Sequence, residues 1–178
     1  MRLPTQHQPD VADLTGSADP DLFGAVPTSR RSPPANRLRW PWLGARVLGA
    51  LAVLATGAIH LYEFEHLYSQ IPTIGTLFVL NFIGATAIGL CLLAPVDRIA
   101  GRYGTGLLLL LSMAGIALAA VAFAFLQISE QTPLFGFQEP GYDPSGILAA
   151  RAAEIATVLF LAAFLIGRVV LKAPMRRW

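Results

Sequence analysis

The chain has 178 residues, of which 54% are hydrophobic and only 13% are charged, with a formal net charge of +2. Soluble domains usually carry about 25% charged residues, so this composition excludes most soluble classes. The high apolar content and small net charge also exclude a chain that is disordered throughout. We therefore expect most of the chain to lie in lipid.

Residues 1–40 differ in composition from everything that follows. They hold Arg and Asp residues interleaved with six prolines between Pro4 and Pro34. Such a stretch has too little apolar surface to offset the entropy that ordering would remove. The sequence predicts a disordered tail over residues 1–40.

Four long apolar segments follow the tail. A helix needs about 20 residues to cross a hydrocarbon core of about 30 Å, and each segment is close to that length. The segments are residues 43–61, 73–94, 105–128 and 147–170. The third lacks the polar stripe of a soluble helix, and a membrane β-strand would alternate with a period of two. We expect an all-α integral membrane protein, an up-down bundle of four transmembrane helices over residues 41–171.

Basic residues mark one side of the predicted bundle. Arg and Lys lie before the first segment, between the second and third, and after the fourth, where residues 172–178 form a basic C-terminus. The loops 62–72 and 129–146 contain Glu or Asp but no Lys or Arg. By the positive-inside rule both termini are cytoplasmic and the acidic loops lie outside. We expect a multi-pass membrane protein.

Small residues at four-residue spacing predict where the helices pack. They are Ala45 and Gly49, Ala85 and Gly89, Gly115 and Ala119, and Ala149, Ala153 and Thr157. The same spacing also fits a homo-oligomer face, or a face that docks another membrane protein. These alternatives stay open at this point.

Five polar side chains share one depth in the predicted bundle. They are His60, Asn81, Gln127, Arg151 and Glu154. At 1.5 Å of rise per residue, all five fall within about 12 Å of the outer boundary. Ionisable groups are expensive in lipid and face the bundle interior, so this layer is a candidate ligand-binding site that opens outward.

A structural interpretation of the same layer stands beside the functional one, and the sequence favours it. Arg151 and Glu154 are three residues apart on one helix and can pair with each other. The polar ends of His60 and Gln127 can stay hydrated at the membrane–water interface, and Asn81 can form one interhelical hydrogen bond.

If the layer is functional, its residue types suit more than one ligand. Imidazole and carboxylate bind zinc or copper, so His60, His66 and Glu154 form a candidate metal site. A spacing of six places the two histidines on different helix faces, which weakens that candidate. The alternative is a pocket for a quinone-like molecule or a proton, and no particular cofactor is indicated.

Other familiar chemistry is missing from the sequence. Cys91 is the only cysteine, and no GxxxxGK[ST], GxGxxG, HExxH or GxSxG motif occurs. Nothing presents the basic flanks to nucleic acid, so the expected partners are the lipid bilayer and another membrane protein or a second copy. We expect a non-enzymatic accessory or assembly subunit, with the outward-facing binding site as the alternative.

The acidic loop 129–146 contains an apolar cluster, Leu134, Phe135 and Phe137, between two prolines. Such a cluster either lies in the membrane interface as an anchor or folds back as a lid over the polar layer. The sequence favours the anchor.

The segment Gly57–Asn81, GAIHLYEFEHLYSQIPTIGTLFVLN, together with LFGFQE at 134–139 and Glu154, resembles an uncharacterised family of small four-span integral membrane proteins from high-GC bacteria. The likeness covers residues 42–170 and implies a location in the bacterial inner (plasma) membrane, but no activity. Four residues fall in the segments that carry it: His60, Pro72, Asn81 and Phe135. The resemblance therefore adds weight to the polar layer without indicating a ligand.

Overall fold

The computed structural model describes residues 39–172, and within them the side chains of residues 42–168. The long helices are α1 (Arg39–Glu63), α2 (Pro72–Leu93), α4 (Gly104–Gln131) and α5 (Pro144–Lys172). A short helix, α3 (Val96–Ile99), joins α2 to α4, and a π-helical turn (Phe64–Tyr68) continues α1. The predicted all-α bundle of four membrane-spanning helices is confirmed, since all four are long and apolar enough to cross a membrane.

The predicted tail and basic C-terminus fall almost entirely outside the described residues. Residues 39 and 40, predicted to end the tail, begin α1 instead. At the other end of the described chain, α5 continues to Lys172.

Prolines set several helix boundaries. Pro72 is the first residue of α2 and Pro144 the first of α5, a position at which the missing N–H of proline would have no intrahelical partner anyway. Pro95 follows the end of α2, where a helix cannot easily continue. The connections between the helices are short, so neighbouring helices run antiparallel.

The four long helices form a ring in which α1 and α4 each pack against both α2 and α5. Inward-facing side chains recur at alternating steps of three and four residues. In α5 these buried residues are Ala150, Glu154, Thr157, Leu161 and Phe164. This spacing is typical of bundles whose helices cross at about 20°.

The small residues predicted at helix interfaces pack within the chain. A methyl group added at Gly49 or Gly115 would meet Leu161 of α5, and one added at Gly89 would meet Leu54 of α1. Three further members of the set, Ala85, Ala119 and Thr157, are buried, whereas Ala149 is exposed. These small residues let the backbones of neighbouring helices approach closely.

The two ends of the bundle differ in charge. We call the end where α1 begins and α2 meets α4 the basic end, and the opposite one the acidic end.

At the basic end Arg46 is 8% exposed and donates from Nε to the Leu92 carbonyl at 2.6 Å and from Nη2 to the Ala94 carbonyl. Its Nη1 lies 3.4 Å from Asp97 Oδ1. Because the last carbonyls of a helix lack intrahelical partners, Arg46 caps α2.

Large apolar side chains cover the outside of the bundle. Examples that are more than half exposed are Leu80, Ile83, Leu110, Met113 and Ile166. A soluble protein rarely exposes an apolar surface of this extent, and contact with a lipid bilayer accounts for it.

Candidate functional site

A cavity of about 240 Å³ lies in the half of the bundle nearer the acidic end, between all four long helices. Large side chains such as Leu92, Leu108 and Leu161 fill the other half. Around the cavity some of the lining positions of α4 and α5 carry small residues, including Ala122 and Ala150. An apolar cavity of about 150 Å³ admits benzene in a well-studied case, so this one has room for a small organic molecule.

Polar side chains enter the cavity at two levels. The deep group consists of His60, Asn81 and Glu154. The upper group, nearer the acidic end, consists of Glu63, Tyr68 and Glu139. The remaining walls are largely aliphatic and aromatic, which is the usual make-up of a ligand pocket.

In the deep group, His60 of α1 faces Glu154 of α5. Their Nε2 and Oε1 atoms are 3.8 Å apart, which is longer than a hydrogen bond. The His60 Nδ1 atom lies 2.8 Å from the Thr56 carbonyl oxygen. Because a carbonyl only accepts, Nδ1 carries the hydrogen, and Nε2 of the neutral ring is an acceptor. Two acceptors thus face each other, an arrangement that suits a shared proton or a donor placed between them.

Two further atoms of the deep group have no hydrogen-bond partner. Glu154 is 1% exposed and its Oε2 is unpaired, and Asn81 is 8% exposed and its Oδ1 is unpaired. Buried polar atoms nearly always have partners, so both atoms mark a place where an interaction is missing.

In the upper group, a buried tyrosine and carboxylate are bonded to each other. The Tyr68 hydroxyl donates to Glu139 Oε2. The other carboxylate oxygen of Glu139 accepts from the N–H groups of Gly141 and Tyr142 at 2.8 and 3.0 Å. Glu139 is therefore satisfied, whereas Oε1 of the buried Glu63 has no hydrogen-bond donor and lies beside the Asp143 carboxyl group.

The π-helical turn after α1 directs Tyr68 into the bundle. A π turn bonds residue i to i+5 and so inserts one residue relative to an α-helix, often at a functional site. In an uninterrupted helix Leu67, seven residues after His60, would share the face of His60. Instead Leu67 is 42% exposed and Tyr68 only 5%. The Tyr68 ring stacks on Phe78 with centroids 4.9 Å apart.

The loop 132–143 folds over the cavity. Leu134 and Phe137 exchange two backbone hydrogen bonds, of 2.7 and 3.0 Å, and both side chains line the cavity. The Phe137 ring meets Tyr68 edge-on at 5.7 Å. The anchor interpretation is therefore wrong for these two residues, because the turn and the Tyr68 ring hold them over the bundle mouth. Phe135 points away and is 56% exposed.

Gln127 and Arg151 lie outside the cavity. Arg151 forms an ion pair with Glu130 of α4. With its amide oxygen toward Arg151, Gln127 accepts from Nε and Nη2 at 3.1 and 3.2 Å. Arg151 and Glu154 do not form the ion pair that their spacing allows. The Glu154 side chain faces His60, whereas the Arg151 side chain faces Glu130 of α4. The predicted layer thus divides into a cavity group and an interhelical network.

His66 is also separate from the cavity. It is exposed, its Nδ1 lies 2.8 Å from the Tyr62 carbonyl oxygen, and its ring stacks on Tyr62 at 4.0 Å. Within residues 39–172, no group of three His, Cys, Asp or Glu side chains is placed to hold a metal ion. Of the candidate metal ligands, only His60 and Glu154 come together.

Tyr68 and the buried role of Glu139 were not predicted from the sequence. Glu139 follows the apolar segment LFGFQ, and a carboxylate beside such a cluster is a candidate for burial with it. Tyr68 faces inward only because of the π turn, for which the sequence offers no comparable signal.

Comparison of the chain with known protein families, with curated proteins and with solved structures finds no match. The resemblance to small four-span proteins of high-GC bacteria stays a prediction.

Proposed function

We propose that this chain is a multi-pass protein of the bacterial inner membrane that binds a small amphipathic organic molecule in the cavity at its acidic end. The observation that carries the proposal is the cavity of about 240 Å³, with largely apolar walls and three buried acceptor atoms that lack partners. Binding pockets combine these features, because apolar walls provide affinity and a few polar groups fix orientation.

The unpaired acceptors are the most informative part of this arrangement. Leaving a buried acceptor unsatisfied costs about 1–3 kcal/mol. Asn81 and Glu154 each have one such atom in the deep group of the cavity, and Glu63, which also lines the cavity, has a third one beside Asp143. A fold that carries this penalty at both Asn81 and Glu154 in one cavity is better explained by a ligand than by packing, since functional sites are where local rules are broken.

The role of an accessory subunit, which the sequence favours, has less support. It depends on small-residue faces that are free to dock a partner. Gly49, Gly89 and Gly115 instead contact neighbouring helices of the same chain. The ligand site is therefore the better supported of the two functions.

In the proposed orientation both termini are cytoplasmic and the cavity opens to the outside, as the distribution of Arg and Lys indicates. Cysteine labelling tests this orientation. In a Cys91→Ser background, Gln70→Cys lies at the acidic end and Ile99→Cys at the basic end, and both positions are exposed. A membrane-impermeant maleimide should label position 70 in spheroplasts, and position 99 only after permeabilisation. The reverse pattern would invert the proposed topology.

Extraction of the purified protein tests ligand binding. The protein is isolated in lipid nanodiscs, extracted with organic solvent, and the small molecules are quantified by mass spectrometry. Ala122→Leu adds bulk inside the cavity, whereas the matched control Ala124→Leu adds the same bulk on the exposed face of α4.

We expect one compound at roughly one per chain in the wild type and in Ala124→Leu, as a single site requires. It should be depleted in Ala122→Leu. Identical extracts from all three proteins would refute the proposed site.

A further inference from the structure

The unpaired polar atoms of the cavity are alike in one respect. Asn81 Oδ1, Glu154 Oε2 and Glu63 Oε1 are all hydrogen-bond acceptors. His60 Nε2, opposite Glu154, is an acceptor as well when the ring is neutral, because Nδ1 donates to the Thr56 carbonyl. A ligand that satisfies this set must bring donors.

Acidic side chains predominate around the cavity. Three carboxyl groups, those of Glu63, Glu139 and Glu154, line it, and among the residues that the structure describes its lining contains His60 but no Lys or Arg. Arg151 is the basic residue nearest in sequence to Glu154, and it is engaged by Glu130 and Gln127 outside the cavity. Because charges interact more strongly where little water is present, an acidic cavity in an apolar bundle favours a positive ligand.

An aromatic ring lies between the two polar levels. The Phe78 centroid is 5.0 Å from that of His60 and 4.9 Å from that of Tyr68. Phe137 closes the cavity above Tyr68. Aromatic faces attract ammonium groups within about 6 Å, most strongly when water is excluded.

We infer that the cavity takes a lipophilic organic cation, an ammonium whose N–H groups donate to Glu154 and Asn81 while its hydrocarbon part contacts the apolar walls. This inference rests on the proposed function. An oxidised quinone, which offers only acceptor oxygens, does not match the unpaired atoms. The ammonium can belong to a free amine or to an amine-bearing lipid headgroup, and the experiment separates the two.

Three probes of similar shape test the inference: 4-fluorophenethylammonium, 2-(4-fluorophenyl)ethanol and 3-(4-fluorophenyl)propanoate. Binding is measured by ¹⁹F NMR titration of the full chain in phosphatidylcholine nanodiscs, whose lipid has no N–H donor. We expect the ammonium to bind at least about tenfold more tightly than the alcohol, since a charge-assisted hydrogen bond exceeds a neutral one by that amount. The propanoate should not bind.

Variants show whether the cavity carboxylate is responsible. Glu154→Gln should lower the affinity for the ammonium at least about tenfold and change that for the alcohol much less. The matched control Glu130→Gln alters a carboxylate that does not line the cavity and should leave both affinities unchanged. Competition by added phosphatidylethanolamine would assign the ammonium to a lipid headgroup, and its failure to compete would assign it to a free amine.

The outcomes that overturn the inference differ from those that overturn the proposed function. Equal affinities for the ammonium and the alcohol, both lost in Ala122→Leu, would remove the cation preference and leave the ligand site standing. Absence of saturable ammonium binding would also overturn the inference. The extraction experiment then decides the proposed function separately.

Discussion

Replacing Glu154 with methionine should stabilise the unliganded protein. The Glu154 side chain is 1% exposed, its Oε2 has no hydrogen-bond partner, and its Oε1 lies 3.8 Å from His60 Nε2. Removing an unsatisfied buried acceptor is worth about 1–3 kcal/mol, and the flexible methionine side chain adapts to the space. No hydrogen bond to His60 is lost in the variant, because the Nε2 and Oε1 atoms are too far apart to form one. We expect a net gain of about 1–3 kcal/mol.

The assay is equilibrium unfolding in mixed detergent micelles, followed by circular dichroism. The control is Glu130→Met, which removes the partner of Arg151 at a position where both side chains are about 30% exposed. It should destabilise the protein by up to about 1 kcal/mol, as partly exposed ion pairs do. If Glu154→Met instead destabilised by more than the control, Glu154 would be a structural residue and the reasoning for a ligand site would fail.

Three further changes test the account of the fold by the same unfolding assay or by hydrogen exchange. Arg46→Met should destabilise by about 1–3 kcal/mol, because it leaves the buried Leu92 carbonyl at the end of α2 without its Arg46 donor, while the Ala94 carbonyl still accepts from the Val96 N–H. Gly89→Val should destabilise by about 1–3 kcal/mol, because its Cβ would lie 2.5 Å from Leu54, whereas Gly106→Val, with open space around it, should change stability by less than about 0.5 kcal/mol. Hydrogen bonds from Ser145 hold the pKa of Asp143 below its ordinary value, so this carboxylate stabilises the start of α5 above its unfolded pKa of about 3.9. That contribution is lost as the pH falls through the lower folded value, and amide exchange there, corrected for its intrinsic pH dependence, should accelerate.

The helices of this bundle are predictable because hydropathy and proline act locally. Pro72 and Pro95 bracket a continuous apolar segment, and α2 occupies Pro72–Leu93 between them. The cap at the basic end is not predictable in this way. The three partners of Arg46 lie 46, 48 and 51 residues further along the chain, and only the packed bundle brings them together.

The depth of the site residues along the bundle could be predicted from the sequence. The direction in which each side chain faces around its helix could not. A rise of 1.5 Å per residue places polar groups at a common level, and His60, Asn81 and Glu154 do meet in one cavity. Arg151 shares that level, yet its helix turns it toward Glu130 and not inward. Small errors in helical phase accumulate along a span, and the π turn before Tyr68 shifts the phase by a whole residue.

The most direct test of the central claim is a methyl NMR titration of the protein labelled at its alanine methyl groups, in nanodiscs. Ala122 and Ala150 line the cavity, whereas Ala124 and Ala149 are exposed on the same two helices. On addition of 4-fluorophenethylammonium, or of its alcohol analogue, we expect saturable shifts of the Ala122 and Ala150 methyl signals only. Shifts confined to Ala124 and Ala149, or no saturable shift with either compound, would contradict a ligand site inside the bundle.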